Sequence, residues 1–170
     1  MRRLIFCFLI LFCISFADGV KPSFSMGAGW SYTKPSGYSG NHFVDIGIGT
    51  TAPFSRYIGL RASVFGVSLG GGGTSMGVSG RMGLIEMIPT GVVSPYFKQY
   101  VYLDHMAASG DNLTYFGVGL GIGMEFLNNF HVSPYVSGNF GFSIIGASGY
   151  DTDTAIGFGA GGGVRFSWKK

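Results

Sequence analysis

Little in this 170-residue sequence is charged: lysine, arginine, aspartate and glutamate make up 11%, against roughly a quarter in soluble domains. A surface that meets water on all sides is therefore a poor fit. Cysteine is scarce as well. Cys7 and Cys13 both fall within the first seventeen residues, so the rest of the chain has no disulfide framework, no thiol nucleophile and no cysteine metal site. Helical periodicity is missing, because outside the N-terminal segment no apolar repeat at i, i+3, i+4 outlasts a single turn. The basic surplus is thin. Without Arg2 and Arg3, the 11 basic residues fall to 9 against 8 acidic ones. No basic stripe remains to bind nucleic acid, despite a pI near 8.9.

What the sequence has in quantity is glycine, 31 residues, and aromatic side chains, 16%. Its first segment, MRRLIFCFLILFCISFA, has a basic start at Arg2 and Arg3, an apolar run from Leu4 to Ile14, and small residues at Ser15 and Ala17. This pattern predicts a secretory signal peptide over 1–17, too short for a membrane-spanning helix, and one domain over 18–170. A lipoprotein reading through Cys13 fits less well, since Phe12 stands where a small residue is needed.

The most telling stretch is Leu113 to Phe126, LTYFGVGLGIGMEF. Phe116, Val118, Leu120, Ile122, Met124 and Phe126 occupy even positions, while Gly117, Gly119, Gly121, Gly123 and Glu125 occupy odd ones. A period of two is that of a strand, with successive side chains on opposite faces. Glycine is unfavourable in strands, so a bare face needs a cause. A narrow closed barrel supplies one, with an outer wall that meets lipid and an interior too crowded for side chains.

Seven more segments repeat the alternation: 23–33, 42–51, 57–69, 75–88, 95–105, 132–146 and 154–168. Turn-forming clusters separate them, at 34–41, 70–74, 106–112 and 147–153 toward one end and at 52–56, 89–94 and 127–131 toward the other. The parity slips after Val64, which predicts a bulge. Ile85-Glu86-Met87 breaks the pattern and leaves the facing of Glu86 open. Eight strands is an even number, as single-chain outer-membrane barrels require, and each is long enough for a tilted crossing. The fold class read from the sequence is therefore all-β, an eight-stranded antiparallel up-and-down transmembrane β-barrel preceded by a signal peptide.

A lipocalin-type carrier of a small apolar ligand has the same strand count but points its apolar set inward, leaving a water-facing surface starved of charge. Aromatic placement opposes it. Trp30, Tyr32 and Phe116 fall toward one rim, and Phe24, Phe126, Phe166 and Trp168 toward the other, bracketing aliphatic mid-strand residues as membrane-interface belts do.

On these features the sequence resembles the small eight-stranded outer-membrane β-barrel family, of the OmpA transmembrane domain and OmpX type. The resemblance runs from Ser23 to Trp168. Its closing segment GGGVRFSW, Gly161 to Trp168, is similar to the C-terminal strand signal read by the barrel-assembly machinery, except that Lys169 and Lys170 follow the aromatic residue. The resemblance implies a location in the cell outer membrane, a polar hydrogen-bonded interior, and as partners the outer-membrane lipid and the assembly machinery during insertion. It implies no peptidoglycan tether.

Charges expected inside the barrel are Asp45, Arg61, Arg81, Lys98, Glu125 and Arg165, with Glu86 open. Isolated buried charges are costly, so these should pair. A hairpin centred near Asp111 predicts Lys98 opposite Glu125, with Arg165 at the same end. GVGLGIG (117–123) and GFGAGGG (157–163) superficially resemble nucleotide loops, but no helix follows either one. His131 with Ser133 resembles the His-x-Ser pair of lipid A deacylase barrels, yet no acid lies downstream on the same strand to orient the base. His42 with Asp45 and His105 with Asp104 are isolated pairs with no metal-ligand cluster around them. The expected function is that of an integral outer-membrane β-barrel with a structural or narrow-pore role, monomeric, without catalysis, cofactor or metal. The alternatives are a deacylase-like barrel enzyme and the secreted carrier.

Overall fold

The computed structural model describes residues 22–37, 39–54, 57–70, 75–88, 90, 92–108, 111–127, 131–147 and 153–167. The expected signal peptide and Trp168 lie outside them. Eight strands follow in chain order: β1 (Ser23–Pro35), β2 (Asn41–Pro53), β3 (Ile58–Gly70), β4 (Ser75–Met87), β5 (Val93–Ala108), β6 (Asp111–Phe126), β7 (Val132–Ala147) and β8 (Asp153–Ser167). Each pairs antiparallel with its neighbours, and β8 returns to β1 to close the ring. Closure leaves no unpaired strand edge, the condition for crossing a bilayer with strands.

The facing follows the alternation. Val118, Leu120 and Ile122 are 56%, 50% and 68% exposed, while Gly117, Gly119 and Gly121 between them are buried. The same holds for Val44, Ile46 and Ile48 on β2 and for Phe140, Phe142 and Ile144 on β7. The apolar face is thus the outer one, and a carrier with an apolar bore is excluded.

An extra residue near position 66 shifts both ladders of β3: Ile46 pairs with Val67 but Gly47 with Phe65, and Phe65 pairs with Ser79 but Ser68 with Gly77. The bulge lies where the parity of the sequence slips. At the β1–β2 turn, Gly37 takes φ +73°, which glycine adopts without steric penalty.

One expectation needs correcting here, and one open facing is resolved. The segment 106–112 is not a polar loop, because β5 runs to Ala108, β6 starts at Asp111, and Met106 pairs with Leu113. An apolar pair at this level continues the alternation, so the turn is shorter and the register moves. Glu86, whose facing the sequence leaves open, points outward. β4 keeps its parity to the end, which buries Ile85 inside and leaves Glu86 exposed on the outer face, where Gln99 Nε2 donates to it at 3.5 Å.

Candidate functional site in the barrel lumen

The glycines of β6 are explained by what stands opposite them on β5. Tyr96, Lys98, Tyr100 and Tyr102 pair with Gly123, Gly121, Gly119 and Gly117 in that order. A Cβ placed on any of these glycines would collide with the side chain of its partner. Four bulky polar groups therefore lie flat across a bare strand, which is how a narrow ring accommodates them. Midway along the seam between β1 and β8 two successive inner levels are bare on both sides, with Gly27 opposite Gly163 and Gly29 opposite Gly161.

Between these walls lies a cavity of about 130 Å³, lined on the charged side by Arg61, Arg81, Lys98, Asp45 and Asp104. Asp45 accepts from Ser31 Oγ at 3.0 Å. Ser79 Oγ donates to Asp104. Arg61 donates to Ser25 Oγ at 3.3 Å and stacks on the Tyr135 ring at 5.1 Å. Arg81 and Lys98 both lie 5.7 Å from the centre of the Tyr100 ring, where the ring quadrupole attracts a cation.

The ends of the bore differ. At the end away from the chain termini, Phe43, Met106, Tyr115, Ile145 and Ala155 pack into one buried apolar cluster, backed by Tyr102 and Leu113. At the other end Arg165 forms an ion pair with Glu125, their side chains 14% and 3% exposed. Lys98 does not oppose Glu125. The shorter β5–β6 turn sets Lys98 against Gly121 and Glu125 against Ser94, and Arg165, on β8, takes the carboxylate instead. The apolar cluster escaped the sequence reading, although its signal was there: Phe43, Tyr115, Ile145 and Ala155 carry the parity of the glycine face.

Of the interface aromatics, Trp30 and Phe116 are exposed on the outer wall. Tyr32 is half-buried on the same wall, against His42 and Phe158. Phe24 and Phe166 stack at 6.5 Å toward the terminal end, and Phe126 is half-buried.

The deacylase pairing is not assembled. Ser133 is fully buried and its Oγ donates to the Leu127 carbonyl at 3.2 Å, while His131 Nδ1 contacts the Ser167 carbonyl at 3.1 Å. Serine and histidine each bind backbone rather than one another. Among the described residues no three of His, Cys, Asp and Glu gather as a metal site.

No protein-family model matches the sequence, and no curated protein matches it. The fold is that of the eight-stranded outer-membrane barrels. Neisserial surface protein A (NspA) superposes with a TM-score of 0.72 at 12% identity, covering 86% of this chain and 97% of that one. The outer membrane protein OprG from Pseudomonas aeruginosa gives a TM-score of 0.60 at 11% identity, covering 88% and 97%. Ail, the attachment invasion locus protein of Yersinia pestis, gives 0.53 at 18% identity, covering 86% and 98%.

Proposed function

We propose that this chain is an integral outer-membrane β-barrel with a structural role, non-conducting and without catalytic activity. The observation that carries this reading is the pairing of an apolar outer wall on a closed ring with an apolar cluster across one end of the bore. The first requires lipid as the solvent of the outer face, since exposed apolar area on this scale does not persist in water. The second places apolar side chains from five of the eight strands in the path through the lumen, which supports a non-conducting barrel. Export through the segment 1–17, insertion by the barrel-assembly machinery and a monomeric state complete the proposal.

The test is membrane fractionation with gel mobility before and after boiling, followed by recording from the purified barrel in planar bilayers. The expected result is an outer-membrane protein whose mobility shifts on heating and which gives no current steps at any voltage. A soluble protein without a mobility shift would overturn the membrane assignment, and discrete steps would overturn the closed lumen.

A further inference from the structure

The charges that line the central cavity do not balance. Among the described residues, Arg61, Arg81 and Lys98 face Asp45 and Asp104, which leaves one positive charge, since Arg165 and Glu125 are paired with each other below. Neither Lys98 nor Arg61 reaches a carboxylate: Lys98 has the Tyr100 ring, and Arg61 has a serine hydroxyl and the Tyr135 ring. Register explains the crowding. Gly83 lies opposite Arg61 on one side and Tyr100 on the other, with Arg81 two residues before it on β4 and Lys98 two residues before Tyr100 on β5. Burying a cation without a counter-charge costs several kcal/mol or more, and a ring face offsets only part of that.

We propose that this chamber is a binding site for one small oxyanion, inorganic phosphate as the monoanion. Guanidinium and ammonium groups are its ordinary partners, and a single negative charge removes the surplus. Asn139 distinguishes phosphate from sulfate or halide. Its Oδ1 is buried on the cavity wall with no hydrogen-bond donor, and it lies beside the Lys98 methylenes, because a Cβ on Gly121 would touch both. An acceptor in that position calls for a donor on the ligand, and a phosphate monoanion carries P–OH groups. The space suits an oxyanion with a few waters and is too small for a lipid headgroup with its chains, so the source is free phosphate. This site goes beyond the structural role and is tested independently of it.

The barrel is purified in detergent, confirmed as folded by its heat-shifted mobility, equilibrated with inorganic phosphate, desalted, and then unfolded by boiling, and the released phosphate is counted. Wild type is expected to release close to one phosphate per chain, with excess sulfate displacing little of it. Lys98→Met and Arg61→Met should each release at least tenfold less. Asn139→Asp supplies the missing carboxylate from the wall itself, so it should release at least tenfold less while resisting heat at least as well as wild type. No phosphate above the blank from folded wild type would overturn the site. So would undiminished phosphate in Asn139→Asp, a folded Lys98→Met that holds as much as wild type, or displacement by sulfate at equal concentration.

Discussion

At the scale of single residues the buried ion pair and one strained turn carry the clearest consequences. Glu125→Gln leaves Arg165 buried without its carboxylate, and a cost of about 3 to 5 kcal/mol is expected, read as a lower urea midpoint for unfolding from lipid vesicles. The double variant Glu125→Gln with Arg165→Met should recover most of that loss. Leu127 has φ +56°, in the left-handed region that costs a residue with a Cβ about 1 to 2 kcal/mol. Its amide donates to the Val92 carbonyl and its own carbonyl accepts from Ser133, so the conformation is held from both sides. Asparagine tolerates this region better, and Leu127→Asn is expected to raise stability by about 1 kcal/mol in the same assay. The strand parity of both acidic and basic residues can be read from the sequence, but their partners cannot. Lys98 and Glu125 are matched or mismatched by a four-residue shift in register, and a hairpin written in polar residues does not announce where its ladder stops.

At the scale of strands, the alternation in β6 was legible because both of its faces are extreme, one wholly apolar and one nearly bare. What it conceals is that the bare face is made to fit the strand beside it. Gly119→Val drives a branched side chain into the Tyr100 ring and should destabilise the barrel by about 1 to 3 kcal/mol. Adding Tyr100→Ser should return part of that loss, which a double-mutant cycle measures. The bulge in β3 was legible as a slip in parity, whereas Ile85 and Glu86 left their facing open because the residue types exchange faces while the backbone does not. The apolar cluster at the far end was missed for a related reason: Phe43, Tyr115 and Ile145 break the inner pattern only near strand ends, where a departure from alternation reads as the approach of a turn.

For the whole molecule, the facing of the wall makes a prediction of its own. Ile122 stands on the outer surface of β6 between the rim aromatics Phe116 and Phe126, and Ile122→Arg is expected to cost about 2 to 4 kcal/mol in a bilayer, falling toward zero for the same change near either rim. Vesicle unfolding compares the two positions directly. Strand number, order and facing all come from a period-two pattern that lipid on one side and confinement on the other impose together, so architecture was the most readable property of the chain. The lumen was less so, because its contents depend on which residues meet across a bore that no local pattern describes.

The seam between β1 and β8 has a consequence for how the ring is made. Gly27, Gly29, Gly161 and Gly163 leave nothing on the inside to interlock, while Phe24 against Phe166 and Trp30 and Tyr32 against Phe158 mark the alignment from without. Along this glycine stretch the first and last strands of the chain thus meet like a zip fastener with teeth on one side of the cloth: main-chain bonds draw the edges together, the outer rings set the starting tooth, and inside only Arg165, opposite Ser25 near the terminal end, has to find its place as the cylinder shuts.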